Sequence, residues 1–262
     1  DMIFVNELVT YPDIYLLLDF ILKLKKVTNA KLTMLAHDYF SVCPTINLMG
    51  NGGFYCGMLC NEKEDCLKSN AYICDSRYHS IKDWRSNWGR FLAECDSVIV
   101  FSNDSRNILE KAYGELKNIK VIPHITNKML EVHKKFKMSD KINIGILGVL
   151  SDRKGLKIVK EMLERINQDK LPVNIVVIGT SEEDISGENC IITGRYTREQ
   201  LPRLMYLYDI DVIFIASVWP ETFSYTTEEA MKMKMPVAAF HLGAPAERVR
   251  KYNKGIIIDS LD

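Results

Sequence analysis

Two patterns alternate along the chain. Continuous apolar runs of strand length are followed by segments whose apolar residues recur every three to four positions. In the second half the runs are INIGIL (142–147), VNIVVIG (173–179), CIIT (190–193), DIDVIFIA (209–216), PVAAF (236–240) and GIIID (255–259). Between them, LKIVKEMLERINQ (156–168), TREQLPRLMYLY opening at Thr197, a segment starting near 223–225, and a short stretch at APAERVRKY have helical periodicity. Strands that are apolar on both faces and are joined by helices predict a parallel sheet covered on both sides. That is a doubly wound α/β domain, whose ligands sit at the carboxyl ends of its strands.

The first half repeats the theme. MIFVNEL, KLTMLAHD, SVIVFS and IKVIPH read as strands; IYLLLDFILKLKKVT, IKDWRSNWGRFLAEC and DSRNILEKAY read as helices. Within the second helix Trp84, Trp88 and Phe91 form a packed face. A Gly- and Asn-rich insert carrying cysteines runs from about 43 to 74, and the polar stretch 133–141 has linker composition. The expected organisation is an amino-terminal domain at 1–132, a linker at 133–141 and a carboxyl-terminal domain at 142–262. Because the chain opens almost inside one strand and stops just after another, it reads as a piece of a longer protein with a truncated amino-terminal domain.

Composition narrows the function classes. The chain has 262 residues, 47% hydrophobic and 26% charged, with a formal net charge of zero. Balanced charge without a long basic run argues against nucleic acid as the main partner. The longest apolar runs fall far below the roughly 20 residues of a membrane span, and no secretory leader pattern opens the sequence. Seven irregularly spaced cysteines in a chain of this size suit reduced thiols. The expected location is therefore the cytoplasm, with the inner face of the membrane as a possible site of work on a lipid-linked acceptor.

The stretch SVWPETFSYTTEEAMKMKMPVAAF (217–240) carries the chemistry. A strand delivers the chain to a helix start, where first-turn N–H groups and the positive end of the dipole favour phosphate. Thr222, Phe223, Ser224 and Tyr225 lie at that start, with Thr222, Ser224, Thr226 and Thr227 as hydroxyl donors. Glu229, about one turn further in, suits a pair of vicinal hydroxyls such as a ribose. Glu221, on the loop side, would face a sugar beyond the phosphates. Both glutamates also fit plain complementation of the helix dipole.

PETFSYTTEEAM, MPVAAF and GAPAE together resemble the carboxyl-terminal domain of the retaining GT-B glycosyltransferases of family 4. That family's glutamate–seven–glutamate motif, alanine, Pro-Val and Gly-rich loop match Glu221, Glu229, Ala230, Pro236, Val237 and Gly243. Upstream, GVLSDRKG resembles the family's phosphate loop, with Lys154 and Gly155 at its Lys-Gly positions; the likeness covers 142–259. It implies a GT-B-like fold of two facing Rossmann-like domains. Glu229 would bind the ribose, Glu221 the transferred sugar, and Lys154 would neutralise the departing diphosphate. Arg153, Gly179 and Arg195 join the donor-binding set, with Tyr196 beside the base. The family usually has an arginine directly after the first glycine of the loop; here Val149 stands there, and Arg153 is the candidate replacement.

LAHDYFSVCPTINL resembles the strand-end histidine segment of a branch of these enzymes. His37 would lie in the cleft between the domains, with Asp38 orienting it or binding acceptor hydroxyls. His124 and His241 read as structural or supporting residues, and Glu247 and Arg248 as members of local pairs. Cys43, Cys56, Cys60 and Cys66 are a set that would hold a structural zinc, although no CxxC pair is present; partly buried thiols are the other reading. No metal or other cofactor is expected for transfer. The resulting expectation is a retaining hexosyl- or deoxyhexosyltransferase of the EC 2.4 class. Its donor is a UDP-, GDP- or dTDP-sugar, and its acceptor is a glycan or lipid-linked hydroxyl in polysaccharide or glycoconjugate synthesis. The rivals are a non-catalytic sugar-nucleotide or glycan-binding module of a larger assembly protein and a GT-B sugar-nucleotide epimerase.

Overall fold

The computed structural model describes residues 1–9, 11–58, 67, 70–73, 77–78, 80–133 and 140–259. The chain forms two compact units: Asp1–His124 with Trp219–Phe223, and Ile125–Val218 with Ser224–Asp262. The division falls ahead of the polar stretch at 133–141 because residues 126–132 are already tied into the second unit. Lys232 Nζ donates to Thr126 O at 2.7 Å, and Val132 N donates to Met233 O at 2.9 Å.

The first unit is a four-stranded parallel sheet in the order β1 (Met2–Val5), β2 (Lys31–Leu35), β3 (Ser97–Val100), β4 (Ile119–Val121). Its helices are α1 (Ile14–Thr28), α2 (Ile81–Glu94) and α3 (Asn103–Tyr113). Their starts are set by local chemistry. Asp13 Oδ1 accepts from Leu16 N at 3.0 Å, Ser80 Oγ from Asp83 N at 3.1 Å, and Ser102 Oγ from Ser105 N at 3.1 Å. The expected packed face of α2 is present: Trp84, Trp88 and Phe91 are fully buried, and Trp84 Nε1 donates to Phe40 O at 2.8 Å. The described part of the cysteine insert is not a loop without a core. Cys43, Leu48 and Met58 belong to this hydrophobic cluster, and Met49 bridges to Tyr55.

The second unit is a six-stranded sheet, also parallel throughout, in the order β10 (Gly255–Ile258), β9 (Val237–Phe240), β8 (Val212–Ile215), β5 (Ile142–Leu150), β6 (Val173–Ser181), β7 (Cys190–Ile192). Its helices are α4 (Leu156–Gln168), α5 (Leu201–Leu207), α6 (Tyr225–Lys232) and α7 (Gly243–Val249). Chain order runs outward from β5 in one direction and from β8 in the other. The β5–β8 boundary is therefore a topological switch point, where ligands bind in doubly wound sheets. Strands β5 and β6 pair without a break to Leu150↔Ser181, further than the apolar runs suggested. Among the described residues no helix is long and apolar enough to cross a membrane.

Candidate functional site

The candidate residues divide between the two units. In the second, the loop after β5 is a single 3-10 turn, Asp152–Lys154, closed by Gly155 at φ 82°. A Cβ at Gly155 would lie 2.1 Å from Ala216 O, so only glycine lets α4 start against the end of β8. Gly179 does the same between β5 and β6: at φ 141°, a Cβ would meet Gly148 O at 1.8 Å. Arg153 and Lys154 both lie in this turn, and Val218 N donates to Arg153 O at 3.2 Å, tying the turn to the chain leaving β8. Val149 is 58% exposed and pairs in register with Thr180, at the end of the same strand pair.

The α6 helix begins at Tyr225, with Ser224 as its N-cap at φ 65°, and the serine makes no side-chain cap bond. Its hydroxyl instead accepts from Thr227 Oγ1 at 2.9 Å, and its carbonyl accepts from Arg248 Nη1 at 3.2 Å. Arg248 was expected to pair locally. It reaches across to Glu228, which also meets Lys232 at 3.3 Å and accepts from Thr126 Oγ1 at 3.2 Å. Glu247 does pair locally, with Lys251 at 3.7 Å.

Glu229 points into a partly buried setting that pushes its carboxyl pKa up, against the pull of Arg198. Arg198 Nε stands 3.1 Å from Glu229 Oε1, and Arg198 Nη2 donates to Asn127 O at 3.0 Å. Burial, with Glu229 next to it, pushes the Tyr196 hydroxyl to about 12. Arg195, by contrast, is exposed. Thr193 Oγ1 accepts from Gly179 N at 3.2 Å, joining the residue after β7 to β6. His241 is also exposed, with Nδ1 3.4 Å from Asp259 Oδ1.

In the first unit His37, Asp38, Glu221, Thr222 and Phe223 come together. Thr222 Oγ1 donates to His37 O at 2.7 Å, so its hydroxyl hydrogen is used inside the protein. Rings stack in a row: Phe101 on His124 at 3.9 Å, His37 on Phe101 at 4.8 Å, and Phe223 edge-on to His124 at 4.9 Å. Burial lowers the pKa of His37 and of His124, favouring neutral rings. His37 Nε2 lies 2.5 Å from Asn6 Oδ1; an acceptor there places the ring proton on Nε2 and leaves a lone pair on Nδ1. Burial raises Asp38 to about 6, with a bond from Phe40 N lowering it and Glu7 raising it further. Glu221 is buried in this unit; burial raises the pKa of Tyr39, against its bond to Ser105 Oγ at 3.1 Å, with Asp104, Tyr55 and Glu221 adding smaller upward pushes.

Sequence reading missed Asn6, Tyr39, Phe101 and Arg198. Asn6 had a signal, since it follows the first strand at its carboxyl end, where ligand residues gather. Of the zinc set, Cys60 and Cys66 lie outside the described residues. Cys43 Sγ accepts from Thr45 Oγ1 at 3.3 Å and Cys56 Sγ from Met58 N at 3.4 Å. Among the described residues no group of three or more His, Cys, Asp or Glu is placed to hold a metal.

A search of curated proteins found no match. Solved structures share the fold. Sucrose-phosphate synthase from Thermosynechococcus elongatus aligns with 100% of this chain and 61% of its own, at 17% identity and a TM-score of 0.65. HepE of Anabaena, solved with UDP-glucose, aligns over 93% and 62%, at 16% identity and 0.59. TarM of S. aureus, solved as a mutant with fondaparinux, alpha-GlcNAc-glycerol and UDP, aligns over 88% and 41%, at 18% identity and 0.57. The chain spans about three fifths of the length of the first of these structures. Likeness at such identity speaks for the fold: parallel-sheet α/β units of the GT-B glycosyltransferase kind. The family model for glycosyl transferases group 1 matches residues 128–262, just over half of the sequence. The chain belongs to that family.

Proposed function

We propose that this chain is part of a glycosyltransferase that takes a sugar from a nucleoside-diphosphate donor and passes it, with retained configuration, to a hydroxyl of a glycan or lipid-linked acceptor. The observation that carries the reading is the end of α6. It follows β8 at the switch point of the sheet without a side-chain cap from Ser224, and Glu229 stands on the same helix beside Arg198. The positive end of a helix favours phosphate, and a partly buried carboxylate receives ribose hydroxyls. The UDP-glucose in the HepE structure supports a donor of this class.

In this reading the bond from the anomeric carbon to the diphosphate oxygen breaks, and the oxygen keeps the electron pair. Lys154 and the α6 N–H groups stabilise that charge, which is greatest in the transition state. The acceptor hydroxyl then bonds the anomeric carbon on the same face, and its proton passes to the leaving phosphate. The products are the glycoside and the nucleoside diphosphate. By resemblance, Glu221 serves the transferred sugar, and His37 and Asp38 the acceptor side. Arg153, Gly179, Thr222, Phe223, Ser224 and Tyr225 serve the donor. The reaction would run in the cytoplasm, at the inner membrane face when the acceptor is a lipid.

One observation favours a second reading, a sugar-nucleotide-binding module without turnover: an exposed Val149 stands where the family usually has arginine. Melting the native chain and Glu229→Ala with UDP, GDP, dTDP and ADP tests the site. A ligand at about 100 times its Kd adds about 2.7 kcal/mol. Stabilisation by one diphosphate that the variant loses supports the reading, and none for any of them refutes it. Release of free sugar from the matching donor separates transferase from module.

A further inference from the structure

Glu229 is held in a particular way. One carboxylate oxygen, Oε1, faces Arg198 Nε at 3.1 Å, while Oε2 makes no hydrogen bond with any described residue. The Arg198 Nε atom is itself buried, and its N–H is not aligned on the carboxylate. Asn127 O anchors the other end of the guanidinium through Nη2 at 3.0 Å. Arg198 is also fixed from its own backbone. Thr197 and Gln200 form a reciprocal capping box around it, with Thr197 N donating to Gln200 Oε1 at 2.8 Å. The guanidinium is thus held at Asn127 and from its own backbone, and its charge, 3.1 Å from Oε1, holds that oxygen toward it.

We propose that Arg198 is a specificity-determining positioning residue: by fixing the Glu229 carboxylate it makes the site select a ribonucleoside diphosphate over its 2′-deoxy counterpart. The inference rests on the reading of Glu229 as the ribose acceptor and narrows the donor class to ribonucleotides, leaving out thymidine-linked sugars. The physical reason is that a partly buried carboxyl acceptor with one open oxygen gains most from two adjacent hydroxyls. A ligand lacking one hydroxyl leaves acceptor capacity desolvated and unfilled. A carboxylate free to rotate back toward water would escape that cost, and the discrimination would fade.

The test measures Kd by calorimetry for UDP, GDP and ADP, takes the tightest, and compares it with its 2′-deoxy analogue. Native protein, Glu229→Gln, Arg198→Gln and Arg198→Lys are compared, with near-UV circular dichroism confirming each fold. Native protein is expected to prefer the ribonucleotide by roughly tenfold or more, and Arg198→Gln by no more than about twofold. Arg198→Lys, which keeps the charge but not the fork, is expected to fall between them. Should Arg198→Gln fail to fold, Arg198→Lys decides alone, because its ratio must still drop below the native value. Equal losses for both nucleotides, leaving the ratio unchanged, make Arg198 merely structural and overturn the proposal. So does a ribonucleotide preference that survives Glu229→Gln. If no diphosphate binds native protein, it is the function reading that fails first.

Discussion

Replacing Asp38 by asparagine probes whether burial at the end of β2 penalises a charge. Burial lifts the Asp38 carboxyl from 3.8 to about 6. A gap of about two units, at 1.36 kcal/mol each, amounts to roughly 3 kcal/mol. Between those pH values the folded chain holds the proton more tightly than the unfolded chain. Stability is therefore greatest with Asp38 protonated, and falls by that amount as pH rises from about 4 to above 6. Asparagine cannot ionise, and its Oδ1 can still accept from Phe40 N, as Asp38 Oδ1 does at 2.8 Å. At pH 8 the variant should be more stable than native by roughly 3 kcal/mol, and below about pH 4 the two should converge. Urea unfolding followed by tryptophan fluorescence reads the right unit, since all three tryptophans, Trp84, Trp88 and Trp219, belong to the first. A difference between native and variant that does not change with pH refutes the argument. So does a variant that is less stable at pH 8.

Two further changes test the second unit. Gly179→Ala puts a Cβ 1.8 Å from Gly148 O at φ 141°, so the ends of β5 and β6 must separate. A loss above about 3 kcal/mol is expected in chemical denaturation, and a loss under 1 would show that the two strand ends are not packed as described. Lys154→Ala should lower donor turnover by about 10²–10³ while the melting transition stays within roughly 0.5 kcal/mol of native. Unchanged turnover removes Lys154 from the leaving-group role.

What was legible in the sequence was what neighbours along the chain decide. Helices α1 and α4 begin and end where the periodicity put them, because their caps, Asp13 and Gly155, stand next to their apolar stripes. Strand ends were less legible. The glycine-led stretches at 148–150 and 179–181 look like loop, yet parallel pairing of β5 with β6 gives their backbone groups partners. Side-chain partners distant in sequence left no trace at all. Arg198 is 31 positions from Glu229, and Arg248 is 20 from Glu228. Thr222 finds its acceptor 185 positions away at His37, so a hydroxyl that looks like a phosphate donor in sequence is bonded to protein in the fold.

Ser224 joins these levels. A non-glycine residue at positive φ costs roughly 1–2 kcal/mol, so the chain must compensate for φ 65° there. It does so with residues that local pattern does not select. Arg248, held by Glu228, bonds the Ser224 carbonyl, and Thr227 bonds its hydroxyl. Those bonds engage the serine hydroxyl with a threonine side chain of the first turn instead of a backbone N–H. In an ordinary N-cap the same hydroxyl would accept from the first turn and satisfy one of its N–H groups. The positive φ and the missing side-chain cap bond thus have one cause, the bonds that hold Ser224 in place. A fold selected for stability alone would close that turn with its own serine; this one gives up a cap bond at the point where the sheet changes direction.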